Sequence, residues 1–106
     1  MKQYTLKYFD DLTDYLKRND LALIKCDHDN VKQLRSCQAW IIPVILMDSN
    51  GNHLRGHLLQ SYHTIVSISY YTDPVISKAD VLTQRLGRWS TTTSKQQSWF
   101  ERGYWD

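Results

Sequence analysis

The dipeptide Asn50-Gly51, with the alternation that follows it, constrains this chain more than any other feature. Both residues tolerate positive φ, which a two-residue type I′ hairpin needs. Such a turn pairs Ser49 with Asn52, Met47 with Leu54 and Leu46 with Arg55. Upstream, Ala39 to Met47 is a continuous apolar run that reads as a strand. Pro43 lies within it and lacks a donor, which argues for an edge position or a bulge. Downstream, residues 53–71 alternate. Leu54, Leu58, Tyr62, Val66, Ile68 and Tyr70 share one parity, and His53, Arg55, His57, Ser61, His63, Ser67 and Ser69 share the other. One sheet face is therefore apolar and the other basic and hydroxylic. The stretch is too long for one flat strand, so a break is expected near Gly56 or Ser61. A one-residue bulge there would swap the faces beyond it.

The flanking segments are mixed. Residues 8–19 read as an amphipathic helix with Tyr8, Leu12, Tyr15 and Leu16 on one face. Its aspartates lie early and Lys17 and Arg18 late, which complements the helix dipole. Leu21 to Lys25 reads as a short strand. Asp27 or Asp29 is placed to cap a turn of helix through Val31 and Leu34. Thr72-Asp73-Pro74 is a turn. Beyond it, a helix over 78–86 capped by Ser77 and a strand over 81–90 fit the pattern equally. Thr93-Ser94-Lys95-Gln96 fits a capping box, so a helix is expected from about Ser94 to Arg102, stopping at Gly103. Trp99 and Phe100 would then pack inward.

Composition bounds the function. At 106 residues the chain is one domain, 1–106, large enough for a single core. Net charge is +2, too weak to imply nucleic acid by itself. The first half balances seven basic against seven acidic residues, whereas residues 51–106 carry six against four. Any basic patch belongs to the second half. Two cysteines make no disulfide framework, and neither a signal peptide nor a membrane span is visible. A cytoplasmic protein is expected.

Three of the four tryptophans fall in residues 87–106, interleaved with cations and a hydroxyl run. Aromatics beside cations and small donors suit contact better than catalysis. Ser90 to Ser94 at a helix start offers free backbone donors to an anion; the competing reading is an over-decorated cap with its tryptophans in the core. The candidate contact set is Arg88, Trp89, Thr92, Thr93, Lys95, Arg102, Tyr104 and Trp105. The tail either docks back on the domain or onto a partner. A second, weaker candidate is the basic stripe His53, Arg55, His57 and His63. Cys26-Asp27-His28 with Cys37 matches no recognised zinc spacing. No serine has a glycine elbow, and there is no phosphate-cradling loop. The expectation is no enzyme, no catalytic residue, no metal and no cofactor.

Ser61-Tyr62-His63-Thr64-Ile65-Val66, Gly87-Arg88-Trp89-Ser90 and Thr92-Thr93-Ser94-Lys95-Gln96 with Phe100 resemble segments of small proteins of bacteriophages and mobile elements, mostly from Gram-positive bacteria. Those proteins carry a Ser-Tyr-Asn-Thr-like strand and a Trp/Tyr-Ser-x-Thr-Thr-Ser-Lys-His-like segment. His63 and Gln96 depart from that pattern. The resemblance covers roughly residues 58–102 and implies a strand before Trp89. It implies no catalytic residue, but it places the chain among phage-type accessory proteins that often bind and disable a host machine.

The expected fold is α+β: an antiparallel sheet of about four strands, near 39–47, 53–60, 62–71 and 81–90, with an N-terminal and a C-terminal helix on one face. The expected function is a non-enzymatic protein that blocks a host target in the bacterial cytoplasm, most concretely a CRISPR nuclease or its guide complex. It would do so by occupying a surface meant for nucleic acid or for a moving domain. The partner is then a host protein or protein–nucleic-acid complex. The alternative is an accessory protein that contacts nucleic acid directly.

Overall fold

A computed structural model describes residues 10–72, 81–87 and 90–106. The chain is α+β. In order it forms α1 (Asp10–Arg18), β1 (Ala22–Cys26), a 3-10 turn (His28–Asn30), β2 (Lys32–Gln33), β3 (Ala39–Met47), β4 (His53–Ser61), β5 (Thr64–Tyr71), β6 (Val81–Arg85) and α2 (Thr91–Arg102). The sheet is antiparallel, ordered β1-β3-β4-β5-β6, with β2 also paired to β3. The four expected strands are met only roughly, since β5 begins at Thr64 after a turn at 62–63 and β6 ends at Arg85 rather than near 90, and β1 and β2 extend the sheet beyond them.

The first hairpin is one residue out of the expected register: Met47 faces His53 and Leu46 faces Leu54. The cause is Asp48. Its carboxylate accepts the N–H groups of Asn50 and Asn52, both at 2.9 Å. These bonds, chiefly that to Asn52, hold the carboxyl below its ordinary pKa. They favour a three-residue loop, Ser49 to Gly51, closed by Gly51 at φ 81°. The break in the long alternation falls just after Ser61, where Tyr62 turns the chain at φ 56°. A bulge then follows. Leu59 faces Ser67 but Gln60 faces Ile65, so Val66 is the extra residue. Ile65 and Ile68 both join the core on the α1 side, while Val66 turns to the opposite face.

Pro43 is not on an edge strand, since β3 is central. It is tolerated because β1 pairing ends at Val44 and β2 pairing begins at Ile41. The missing N–H falls in the gap between them, and the Pro43 carbonyl accepts the Asp27 N–H at 2.8 Å. Asp27 also caps the 3-10 turn. That turn ends at Asn30 rather than continuing through Leu34, because β2 claims the backbone of Lys32 and Gln33.

The two helices lie on opposite faces of the sheet, not on one. Leu12 and Tyr15 of α1 pack with Trp40, Ile42, Val44, Leu46, Leu58 and Ile68. The buried Tyr15 and Tyr70 hydroxyls meet at 2.9 Å, and burial followed by that bond keeps Tyr15 protonated well above its ordinary pKa. Phe100 of α2 packs with Leu34, Ala39, Ile41, Leu59 and Val66 on the other side. Both parities of β3 are therefore buried, which is why 39–47 reads as an unbroken apolar run.

The face beneath α2 is the hydroxylic one, and α2 answers it with polar residues. Thr93, Gln96 and Gln97 are buried together with Ser61 and Ser67. Gln97 Nε2 donates to the Val66 carbonyl at 2.7 Å, and the Leu86 N–H donates to the same oxygen at 2.8 Å. Ser61 Oγ donates to Gln96 Oε1 at 2.6 Å and lies 3.3 Å from Thr93 Oγ1. Replacing Gln97 by Ala removes one of two donors to a buried carbonyl and opens a cavity. Q97A is expected to lower unfolding free energy by about 1–3 kcal/mol in urea titration, with Q97E costing more because it buries a charge.

Candidate basic and aromatic contact surface

α2 begins three residues earlier than the capping box implies. Ser90 is the cap, its hydroxyl accepting the Thr93 N–H at 3.4 Å. Thr93 therefore lies inside the first turn and faces the sheet. Gln96 does not fold back on the cap, because Ser61 holds its amide. Gly103, at φ 75°, ends the helix, with the Tyr104 N–H bonded to the Trp99 carbonyl at 2.9 Å. Ser61 at the β4 end thus binds Thr93 and Gln96 of α2.

Residues 93, 96, 97 and 100 face inward. Lys95, Trp99 and Arg102 follow at i, i+4 and i+7 and occupy one flank. Ser98 and Glu101 occupy the other, where they hold Arg85 of β6 (Nε–Glu101 Oε2 2.7 Å, Nη2–Ser98 Oγ 3.0 Å). Trp99 is not core, as an inward orientation would require, but half-buried at the rim of the Phe100 cluster with two cations over its ring. The Arg35 guanidinium carbon is 4.9 Å from the ring centroid and Lys95 Nζ is 5.7 Å away. Among the described residues, Lys95 and Arg102 carry no ion pair or hydrogen bond.

Arg35 is held by the tail. Its backbone, in the left-handed region at φ 54°, donates to the Trp105 carbonyl at 2.8 Å. Its Nη1 donates to the Asp106 backbone oxygen at 3.1 Å, and Lys32 pairs with the Asp106 carboxylate. Trp105 is docked on the domain rather than free. It stacks on Phe100 at 5.8 Å and 11°, donates Nε1 to the Phe100 carbonyl at 3.1 Å, and meets the His57 ring edge-on at 5.0 Å. Burial beneath it pushes the His57 pKa below the ordinary histidine value.

The candidate contact set is therefore redistributed. Lys95 and Arg102 remain on one exposed flank, Thr92 is exposed at the helix start, and Tyr104 is 54% exposed. Thr93 leaves the set because it is buried, and Trp105 because it is docked. Arg88 and Trp89 lie outside the described residues, as do Tyr8, Asp73, Pro74 and Ser77. The basic stripe divides. His53 and Arg55 are exposed on the open part of the α2-side face, His57 is covered, and His63 sits in the turn after Ser61. Cys26 packs on the α1 side and Cys37 on the α2 side, so they share no site. Among the described residues, no group of three or more His, Cys, Asp or Glu is placed to hold a metal, and no helix is long and apolar enough to cross a membrane. Arg35 is the residue that sequence reasoning misses. It lies 64 residues before Trp99, in a loop with no pattern, and only tertiary folding brings the two together.

Scans of protein-family models, curated proteins and solved structures each return no match to this chain.

W105A uncovers His57. Its pKa is expected to rise toward the ordinary histidine value, read by NMR titration of the imidazole. The sign is fixed by burial: a histidine with a depressed folded-state pKa stabilises the fold above its unfolded pKa and loses that contribution as pH falls. W105A should therefore flatten the fall in stability across mild acidity.

Proposed function

We propose that this chain is a non-enzymatic binding protein that engages the nucleic-acid part of a host nucleoprotein and thereby blocks it. The observation that carries the reading is Trp99, with Arg35 and Lys95 close to its ring and Arg102 one turn on. A half-exposed indole offers a base a stacking face, and the cations beside it neutralise flanking phosphates. The sign of the charge decides between modes of blocking. A basic patch is repelled by the cationic groove that normally receives nucleic acid, and is drawn instead to an exposed guide or displaced strand. Occlusion of a nucleic-acid surface on a protein is accordingly replaced by contact with the nucleic acid it carries.

The resemblance of residues 58–102 to phage and mobile-element proteins supplies the setting, in which a CRISPR nuclease with its guide is the most concrete target. The meeting of the two resembling segments at Ser61, Thr93 and Gln96 supports a structural role for them: they seat α2, and α2 presents the patch.

Fluorescence anisotropy with a labelled single-stranded oligonucleotide tests the contact. Affinity is expected to fall with salt, with a log–log slope near −2 if Arg35, Lys95 and Arg102 each neutralise one phosphate, at about −0.7 per contact. W99A should weaken binding by about 1–3 kcal/mol, and K95A should make the slope shallower by about 0.7. Cleavage by guide-loaded nucleases, with and without the protein, tests the block. Absence of both oligonucleotide binding at low salt and inhibition at excess protein overturns the proposal.

A further inference from the structure

β6 ends the sheet, and among the described residues no strand pairs with its outer edge. The direction of its backbone groups follows from two contacts. The Leu86 N–H donates inward to the Val66 carbonyl at 2.8 Å, so by alternation Gln84 and Leu82 also address β5. Ser69 Oγ lies 3.1 Å from Thr83 Oγ1, the close approach expected of a pair that exchanges no backbone bonds. Val81, Thr83 and Arg85 therefore point their N–H and C=O groups outward. The Arg85 carbonyl takes the Gln84 side-chain amide at 3.2 Å and keeps a second lone pair.

The opposite edge is defended. β1 carries a register shift between Leu23 and Lys25, with Ile24 bulged and Lys25 exposed. A bulge and a lysine are ordinary devices against edge pairing. β6, Val-Leu-Thr-Gln-Arg, has neither, nor a proline. Its one charge, Arg85, is already neutralised by Glu101. Apolar surface gathers there instead: Val81 is 53% exposed, Leu82 38%, and Tyr71, across from Val81, 42%.

We propose that β6 is a self-association edge, at which a second copy of this chain pairs antiparallel about a two-fold axis through Thr83. That register sets Thr83 against Thr83, and Val81 of each copy against Arg85 of the other. All outward groups of both strands are then used, whereas a shift by two residues leaves some unpaired. No like charges are opposed, and the aliphatic stem of each Arg85 covers the partner's Val81. A foreign strand gains no such self-complementarity. Because the β1 edge is defended, the pairing closes as a dimer rather than growing into a fibre. The two-fold runs perpendicular to the sheet, so both α2 helices lie on the same side of one continuous sheet.

Sedimentation velocity across a concentration series is expected to show a monomer–dimer equilibrium with a Kd of roughly 1–100 µM. Thr83→Pro removes the outward N–H at the axis and, toward β5, no backbone bond but only the side-chain contact of Thr83 Oγ1 with Ser69 Oγ, and should raise Kd at least about tenfold with unchanged far-UV circular dichroism. Thr83→Lys sets one lysine directly against another at the axis and should raise Kd severalfold, more so at low salt. If Thr83→Pro loses its fold, Thr83→Lys decides. A monomer up to roughly 0.5 mM, or a dimer unmoved by Thr83→Lys at low salt, overturns the proposal.

Discussion

The carbonyl of Val66 is the point on which the second half of the molecule depends. It exists as an acceptor off the β4–β5 ladder because the bulge makes Val66 the extra residue. Two elements take it, β6 through the Leu86 N–H and α2 through the Gln97 amide. A buried carbonyl left without partners costs more than a made bond contributes, so the bulge and its two donors stand or fall together. The bulge also returns Ile68 and Tyr70 to the α1 side after the turn at Tyr62 has displaced the alternation.

A helix packed by glutamines and a threonine is a different object from one packed by leucines. α2 buries only Phe100 as a large apolar side chain, and Trp99 and Trp105 reach the same cluster from its rim. Its seat is specified by bonds with direction: Gln97 to Val66, Gln96 and Thr93 to Ser61. Bonds of that kind fix rotation about the helix axis more tightly than a greasy stripe does. Rotation decides whether Lys95, Trp99 and Arg102 line one flank beside Arg35 or turn away from it. The polar interface is thus the reason that the contact surface has a defined composition.

Much of this was legible in the sequence, and the losses have physical causes. The strands over 39–47, 53–60 and 62–71 follow from apolar runs and period two, and β6 follows from the resemblance rather than from pattern. The α2 helix and its Gly103 stop follow from capping chemistry, although Ser90 outcompetes Thr93 as the cap because Thr93 finds Ser61. Residues 39–47, apolar at both parities, already imply two covered faces, yet two helices on one face looked equally economical. What decides is that α2's inward residues are polar, and they match only the hydroxylic face. The hairpin register turned on one carboxylate, Asp48, whose local bonds outweigh the preference of Asn-Gly for a tighter turn. Arg35 could not be found at all, since its neighbour is made by the tail folding back.

The tail and β6 act on α2 from opposite sides. Trp105 closes over Phe100 and His57, and its carbonyl holds Arg35 beneath Trp99. On the other flank Glu101 and Ser98 hold Arg85. The helix therefore separates two surfaces that share no side chain: a cationic, aromatic flank formed with the loop at Arg35, and a sheet edge whose only charge is neutralised. Substitution at one should leave the other intact, because the connecting contacts run through α2's buried face and not across its exposed one. If copies join at the edge, the two flanks lie on the same side of the joined sheet, and a partner long enough to reach both is held by two weak contacts instead of one. The gain is then set by whether its span matches the spacing of the two helices.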